Sequence, residues 1–116
     1  MSEDAGAVVE RFWTLLDAMR WQESGALLAP DVVFRFADSG RVLDSREAVV
    51  AFNAAYPGRS RCRVSRVVDD GAGTAAAEVE VVNDERGRFW CAGFYTVADG
   101  LVTTAVEYWG VEEPPA

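Results

Sequence analysis

Apolar residues recur at spacings of three and four near the start of the chain. Val8, Val9, Phe12, Leu15, Leu16 and Met19 share one face of a helix expected over about residues 4–20, and Trp13 widens that face. Trp21 through Ala29 reads as a second, shorter helix stopped by Pro30-Asp31. Val32-Val33-Phe34-Arg35-Phe36 is β-branched and aromatic and predicts a strand, after which Asp38-Ser39-Gly40 turns the chain. Asp44 is the expected N-cap of a third helix, with Glu47 three residues on as in a capping box. That helix buries Val49 and Phe52 and ends before Pro57-Gly58.

From about residue 61 the period falls to two. Four β-rich runs, over about residues 61–69, 74–83, 87–98 and 101–109, are separated by Asp70-Gly71-Ala72-Gly73, Asp84-Glu85-Arg86-Gly87 and Asp99-Gly100. Each separator carries the glycine that a tight hairpin needs, so the runs form an antiparallel meander. The pattern predicts one α+β domain over residues 1–110 and a solvated C-terminal tail over 111–116. Its architecture is a conical barrel, a curved antiparallel sheet closed by three N-terminal helices, and a cone has an inside.

Composition narrows the chemistry. The chain has 116 residues, half of them hydrophobic, and a net charge of −8, which fits one domain with its own core. Histidine is absent, and all 11 basic residues are arginine. These absences exclude histidine-based nucleophile systems, histidine metal sites, Schiff-base lysines and phosphate-loop lysines. Acid–base work falls to carboxylates, tyrosines, two cysteines or water. No cofactor or metal is expected. Cys62 and Cys91 read as buried thiols of a reducing, cytoplasmic compartment, with a single bridge as the alternative. The acidic start Met1-Ser2-Glu3-Asp4 is unlike a signal peptide, and no apolar run approaches a membrane span. The negative charge argues against nucleic acid and anionic membranes as partners.

Several segments, taken in order, resemble a known family. They are Ala7-Val8-Val9-Glu10-Arg11-Phe12-Trp13, Trp21 opening the second helix, Ala29-Pro30-Asp31-Val32-Val33-Phe34, Arg46-Glu47-Ala48-Val49-Val50-Ala51-Phe52, and Asp99-Gly100-Leu101 with Glu107-Tyr108-Trp109. Together they resemble the SnoaL-like group of the nuclear transport factor 2-like, or ketosteroid-isomerase-like, superfamily over about residues 7–110. The resemblance implies a conical α+β barrel around a hydrophobic pocket, and a homodimer packed through the outer sheet face. It does not imply one reaction. In the isomerases a tyrosine on the first helix, a carboxylate base after the first strand and a protonated acid on the penultimate strand do the work. Phe12, Phe36 and Gly93 stand at those positions here, which argues against steroid-type isomerisation. Cys91-Ala92-Gly93 likewise stands where the epoxide-hydrolase branch carries charged residues.

Glu107 is the remaining candidate. Alternation places Thr103, Ala105, Glu107 and Trp109 on one face of the last strand, and the resemblance turns that face inward. Glu107 would then enter a pocket walled by Phe12, Leu16, Phe34, Phe36, Phe52, Cys91 and Trp109. Burial there raises a carboxyl pKa towards neutrality, as suits a general acid or base, unless an arginine or tyrosine hydroxyl neutralises it. Glu78 and Glu80 read as a solvated strand face, with Arg59, Arg61, Arg63 and Arg66 as cross-strand partners or as an anion site. Trp13 and Trp21 read as helix packing. Trp90, Phe94, Val106 and Tyr108 make a second apolar face that suggests a subunit interface. Two readings stay open: a site for an apolar small molecule, with acid–base catalysis on a cyclic substrate, or a non-catalytic dimerisation or interaction module with a filled cone.

Overall fold

The computed structural model describes residues 4–111. The order is α1 (Ala5–Asp17), α2 (Trp21–Gly25), β1 (Leu28–Phe36), β2 (Val42–Leu43), α3 (Arg46–Ala55), β3 (Ser60–Asp69), β4 (Thr74–Asn83), β5 (Gly87–Ala98) and β6 (Leu101–Val111). The six strands form one sheet in the order β2-β1-β6-β5-β4-β3. β3 to β6 are the expected antiparallel meander. β1, however, runs parallel to β6, so the sheet is mixed. A parallel pair needs a crossover connection, supplied here by α3 and the meander itself. The sheet is curved and cone-like but not closed; β2 and β3 are its free edges.

α1 lies across the concave face, burying Val8, Val9, Phe12, Trp13 and Leu16. Its start is fixed by Asp4, whose carboxylate accepts from the Ala7 N–H at 2.7 Å. Its end is fixed to the sheet edge by Asp17. One Asp17 oxygen accepts from the Cys62 backbone N–H at 2.8 Å and from Arg61 Nε at 3.0 Å. Those bonds, the Arg61 side chain foremost, hold the Asp17 carboxyl below its usual range against the opposing effect of burial.

Three local expectations are revised. α2 ends at Gly25, and Pro30 lies inside β1 rather than stopping a helix. Between Leu28 and Val33 the β1–β6 register slips, which accommodates a proline that has no N–H to give to the ladder. Ser45, not Asp44, caps α3: its hydroxyl accepts from the Ala48 N–H at 3.1 Å. β6 continues to Val111, the first residue of the expected tail, and 112–116 lie outside the described residues.

Gly25 lets α2 and α3 meet, since a Cβ there would stand 2.5 Å from Val50 Cγ2. Arg46 of α3 donates to the Leu28 carbonyl. α3 therefore lies beside β1 and adds its apolar face to the open end of the cone.

The capping assignment is directly testable. Ser45→Ala removes the acceptor for an α3 backbone donor and is expected to cost about 1 kcal/mol in urea unfolding, whereas Asp44→Ala changes stability by no more than about 0.5 kcal/mol. The reverse ranking would return the cap to Asp44.

Candidate functional site

From Thr104 to Trp109 β6 alternates as the sequence suggests; before it a register shift against β5 breaks the pattern, so Val102 is buried and Thr103, expected inside, is only half-buried. Ala105 and Glu107 are buried beneath the helices while Thr104 and Tyr108 face outward. Glu107 is 3% exposed and has a neighbour on each flanking strand at its own level, Phe36 on β1 and Gly93 on β5. The aromatic ring on one side offers the carboxylate no hydrogen bond. The glycine on the other leaves space.

Tyr95 fills that space. It lies two residues beyond Gly93 on the inner face of β5, and its ring folds back so that the hydroxyl donates to Glu107 Oε2 at 2.7 Å. A Cβ on Gly93 would stand 2.3 Å from the Tyr95 hydroxyl oxygen and 2.5 Å from the ring carbon that bears it. Only glycine permits this approach. Trp109 Nε1 donates to the other oxygen, Oε1, at 3.1 Å. Trp13 Nε1, reaching down from α1, donates to the Tyr95 hydroxyl at 3.2 Å. The result is a relay from Trp13 through Tyr95 to Glu107, with Trp109 closing the other side.

The electrostatics follow from this enclosure. Burial pushes Glu107 up to about 6; the bonds from Tyr95 and Trp109 pull it back, and the charge of Asp38 adds a smaller upward push. Tyr95 is raised well above its ordinary value, first by burial and then by the charge of Glu107, so its hydroxyl stays protonated and stays a donor. No arginine pairs with Glu107 among the described residues.

Glu107 borders a cavity of about 450 Å³ beneath α1 and α3. Phe12 and Leu16 of α1, Phe34 and Phe36 of β1, Phe52 of α3, and Trp109 also border it. Cys91 does not, contrary to the sequence reading. It is buried level with Val79 and Trp109, whereas Cys62, level with Val81 and Phe89, borders the cavity. Both thiols are free. Burial pushes Cys62 up to about 12 and Cys91 higher still, so neither is a ready nucleophile. At the mouth stand Asp38 and Arg41, one charge of each sign, with the Arg41 guanidinium 5.2 Å from the centre of the Phe52 ring.

Sequence reasoning passed over two members of this group. Trp13 is a donor in the relay as well as a packing residue. Tyr95 was not among the candidates; the signal that could have found it is a glycine inside a strand two positions before a tyrosine. Elsewhere Arg63 and Arg88 pair with Glu80 at 3.3 and 3.2 Å, and Arg61 pairs with Asp17, so these charges serve the sheet surface. No cluster of potential metal ligands occurs among the described residues.

Two outcomes test the relay. Gly93→Ala displaces Tyr95 and is expected to cost about 1–3 kcal/mol in urea unfolding. Because the folded carboxyl titrates above its ordinary value of 4.5, the contribution of Glu107 to stability is fully present below that value. It is lost as pH rises through about 6. Wild type should thus lose about 2 kcal/mol relative to Glu107→Gln between pH 4 and pH 7. A difference independent of pH would remove the buried-carboxylate account.

Comparison with known proteins places the fold. A candidate ketosteroid isomerase from Kribbella flavida is 30% identical, with 99% of this chain and 84% of that one covered at a TM-score of 0.87. A nuclear transport factor 2-like protein of unknown function from Burkholderia xenovorans shares 15% identity over 95% and 85% of the two chains, TM-score 0.82. An LEH-like epoxide hydrolase from M. tuberculosis shares 21% over 91% and 82%, TM-score 0.74. No curated protein matches the chain in sequence. Residues 9–105 match the SnoaL-like domain, and the chain belongs to that family.

Proposed function

We propose that this SnoaL-like domain binds an apolar cyclic small molecule in the cavity and that Glu107 is its acid–base group. The observation that carries this reading is a buried carboxyl, poised near neutral pH, on the wall of a cavity of about 450 Å³ in which aromatic residues are the commonest lining. Above pH 6 the carboxylate is the major form and accepts a proton from a substrate carbon or from water; once protonated, it returns the proton to another atom. Tyr95 and Trp109 hold both oxygens in place through the exchange. Phe12 and Phe36 at two expected isomerase positions leave steroid-type isomerisation unsupported, and the reaction proposed uses one carboxylate.

The opposing reading was a filled cone serving only as an interaction module. The cavity argues against the filled cone. The outer face nevertheless supports a homodimer: Phe94 and Tyr108, 52% and 49% exposed, contact each other edge to face beside Trp90. We place the protein in the cytoplasm as such a dimer; no helix of the described residues is long and apolar enough to cross a membrane.

Native mass spectrometry of freshly purified protein tests both statements. The expected result is a dimer carrying small-molecule mass that denaturation releases, with less of that mass retained by Glu107→Gln. A bare monomer would count against the dimer, and an unliganded protein that also binds no apolar ring compound would count against the site. Trp90→Arg is expected to dissociate the dimer without unfolding it.

A further inference from the structure

Glu107 presents an electrostatic problem that an apolar ligand does not solve. A carboxylate has about four acceptor positions. Tyr95 and Trp109 take one on each oxygen, and the buried group has no cationic partner among the described residues. Water in the cavity can satisfy the rest. An apolar ligand expels that water and leaves a charge desolvated, which is costly unless something of opposite charge arrives.

The wall around the carboxylate suits a cation. Phe36 lies beside Glu107 in the sheet, Trp109 donates to it, and Trp13 packs 6.2 Å from Trp109, ring centre to ring centre. Aromatic faces and a carboxylate together stabilise an ammonium group, by cation–π attraction and charge-assisted hydrogen bonds. Arg41 over Phe52 shows the first of these contacts at the mouth of the same cavity. At the mouth Asp38 and Arg41 offset each other, but deeper in an anionic ligand would meet Glu107, in a chain of net charge −8.

We infer that the ligand of this cavity is an organic amine: an apolar ring body against the aromatic wall, with its ammonium seated on Glu107. This names the ligand class of the site proposed above and rests on that reading. The titratable groups facing Glu107 are Tyr95 and Cys91 from β5, Cys62 from β3 and Asp38 from the β1–β2 turn. Those facing side chains add no positive charge, and the cavity's arginine, Arg41, stands at the mouth over Phe52 with no bond to Glu107, so the ammonium is the cation that the carboxylate lacks.

The test is calorimetric titration with a shape-matched pair, 1-adamantanemethylamine and 1-adamantanemethanol, at pH 8 and pH 5. At pH 8 the amine is expected to bind about tenfold or more tighter than the alcohol. With Glu107 titrating at about 6, the amine should weaken about tenfold at pH 5. The alcohol should not weaken, because a protonated Glu107 is easier to desolvate. Glu107→Gln should abolish the preference while keeping the alcohol; the wild-type pH dependence tests the same point without a variant. Alcohol binding as tight as amine binding, or an amine that binds better at pH 5, overturns the amine and leaves the cavity as a small-molecule site. Binding of neither probe overturns both.

Discussion

A single hydrogen bond, from the Tyr95 hydroxyl to Glu107, organises the interior of this domain. It places an ionisable group under the helices without leaving it bare. Three elements of the core bear on it. β5 supplies the tyrosine and the glycine beneath it, and β6 supplies the glutamate. α1 holds the tyrosine through Trp13. A fully apolar floor would be the cheaper core, because a charge taken out of water is stabilised only where its geometry is well satisfied. Retaining a carboxyl there costs stability at neutral pH, and that cost gives the site its chemical interest.

The cavity exists because the cone is closed unevenly. α1 packs tightly where Val8, Val9 and Phe12 meet β3 and β4, and Asp17 ties its end to the sheet edge. At the wider end α3, held to β1 through Arg46, spans the opening with Phe52 instead of filling it. The closely packed end therefore positions Glu107, and the other end leaves the cavity. Asp38 and Arg41 sit at that entrance, on the short connection that follows β1. The outer face of the sheet is separate from this interior; alternation gives it Trp90, Phe94 and Tyr108 and leaves Glu107, Gly93 and Tyr95 inside.

Family membership sets the frame and leaves the chemistry to the residues. Level with Glu107 in the sheet stand Phe36, an aromatic neighbour on β1, and Gly93 on β5, which makes room for a tyrosine. Acidity has thus been concentrated on the last strand, opposite an apolar wall. That arrangement fits one proton carrier and a cationic or weakly polar ligand better than a paired acid–base device.

Local periodicity was enough to determine most of the elements, since helices and strands differ in which residues fall on one face, and that is written in spacing alone. The shared face of Ala105, Glu107 and Trp109, the meander, and the absence of histidine and lysine follow from the sequence directly. The cap of α3, the passage of Pro30 through a strand and the parallel β1–β6 pair do not. The last two depend on where a distant strand offers or withholds hydrogen bonds, and the cap on which of two adjacent side chains reaches the Ala48 N–H. The site depends more strongly still on the fold. That Phe36 and Gly93 stand level with Glu107 is a matter of register. That Tyr95 bends over Gly93 is a matter of one missing Cβ. Trp13 enters from a helix 82 residues away. The sequence alone determined which residues share a face, because alternation is a property of neighbours. Only the tertiary structure decided which of them touch, because contact depends on register and rotamer across strands whose separation along the chain carries no such information.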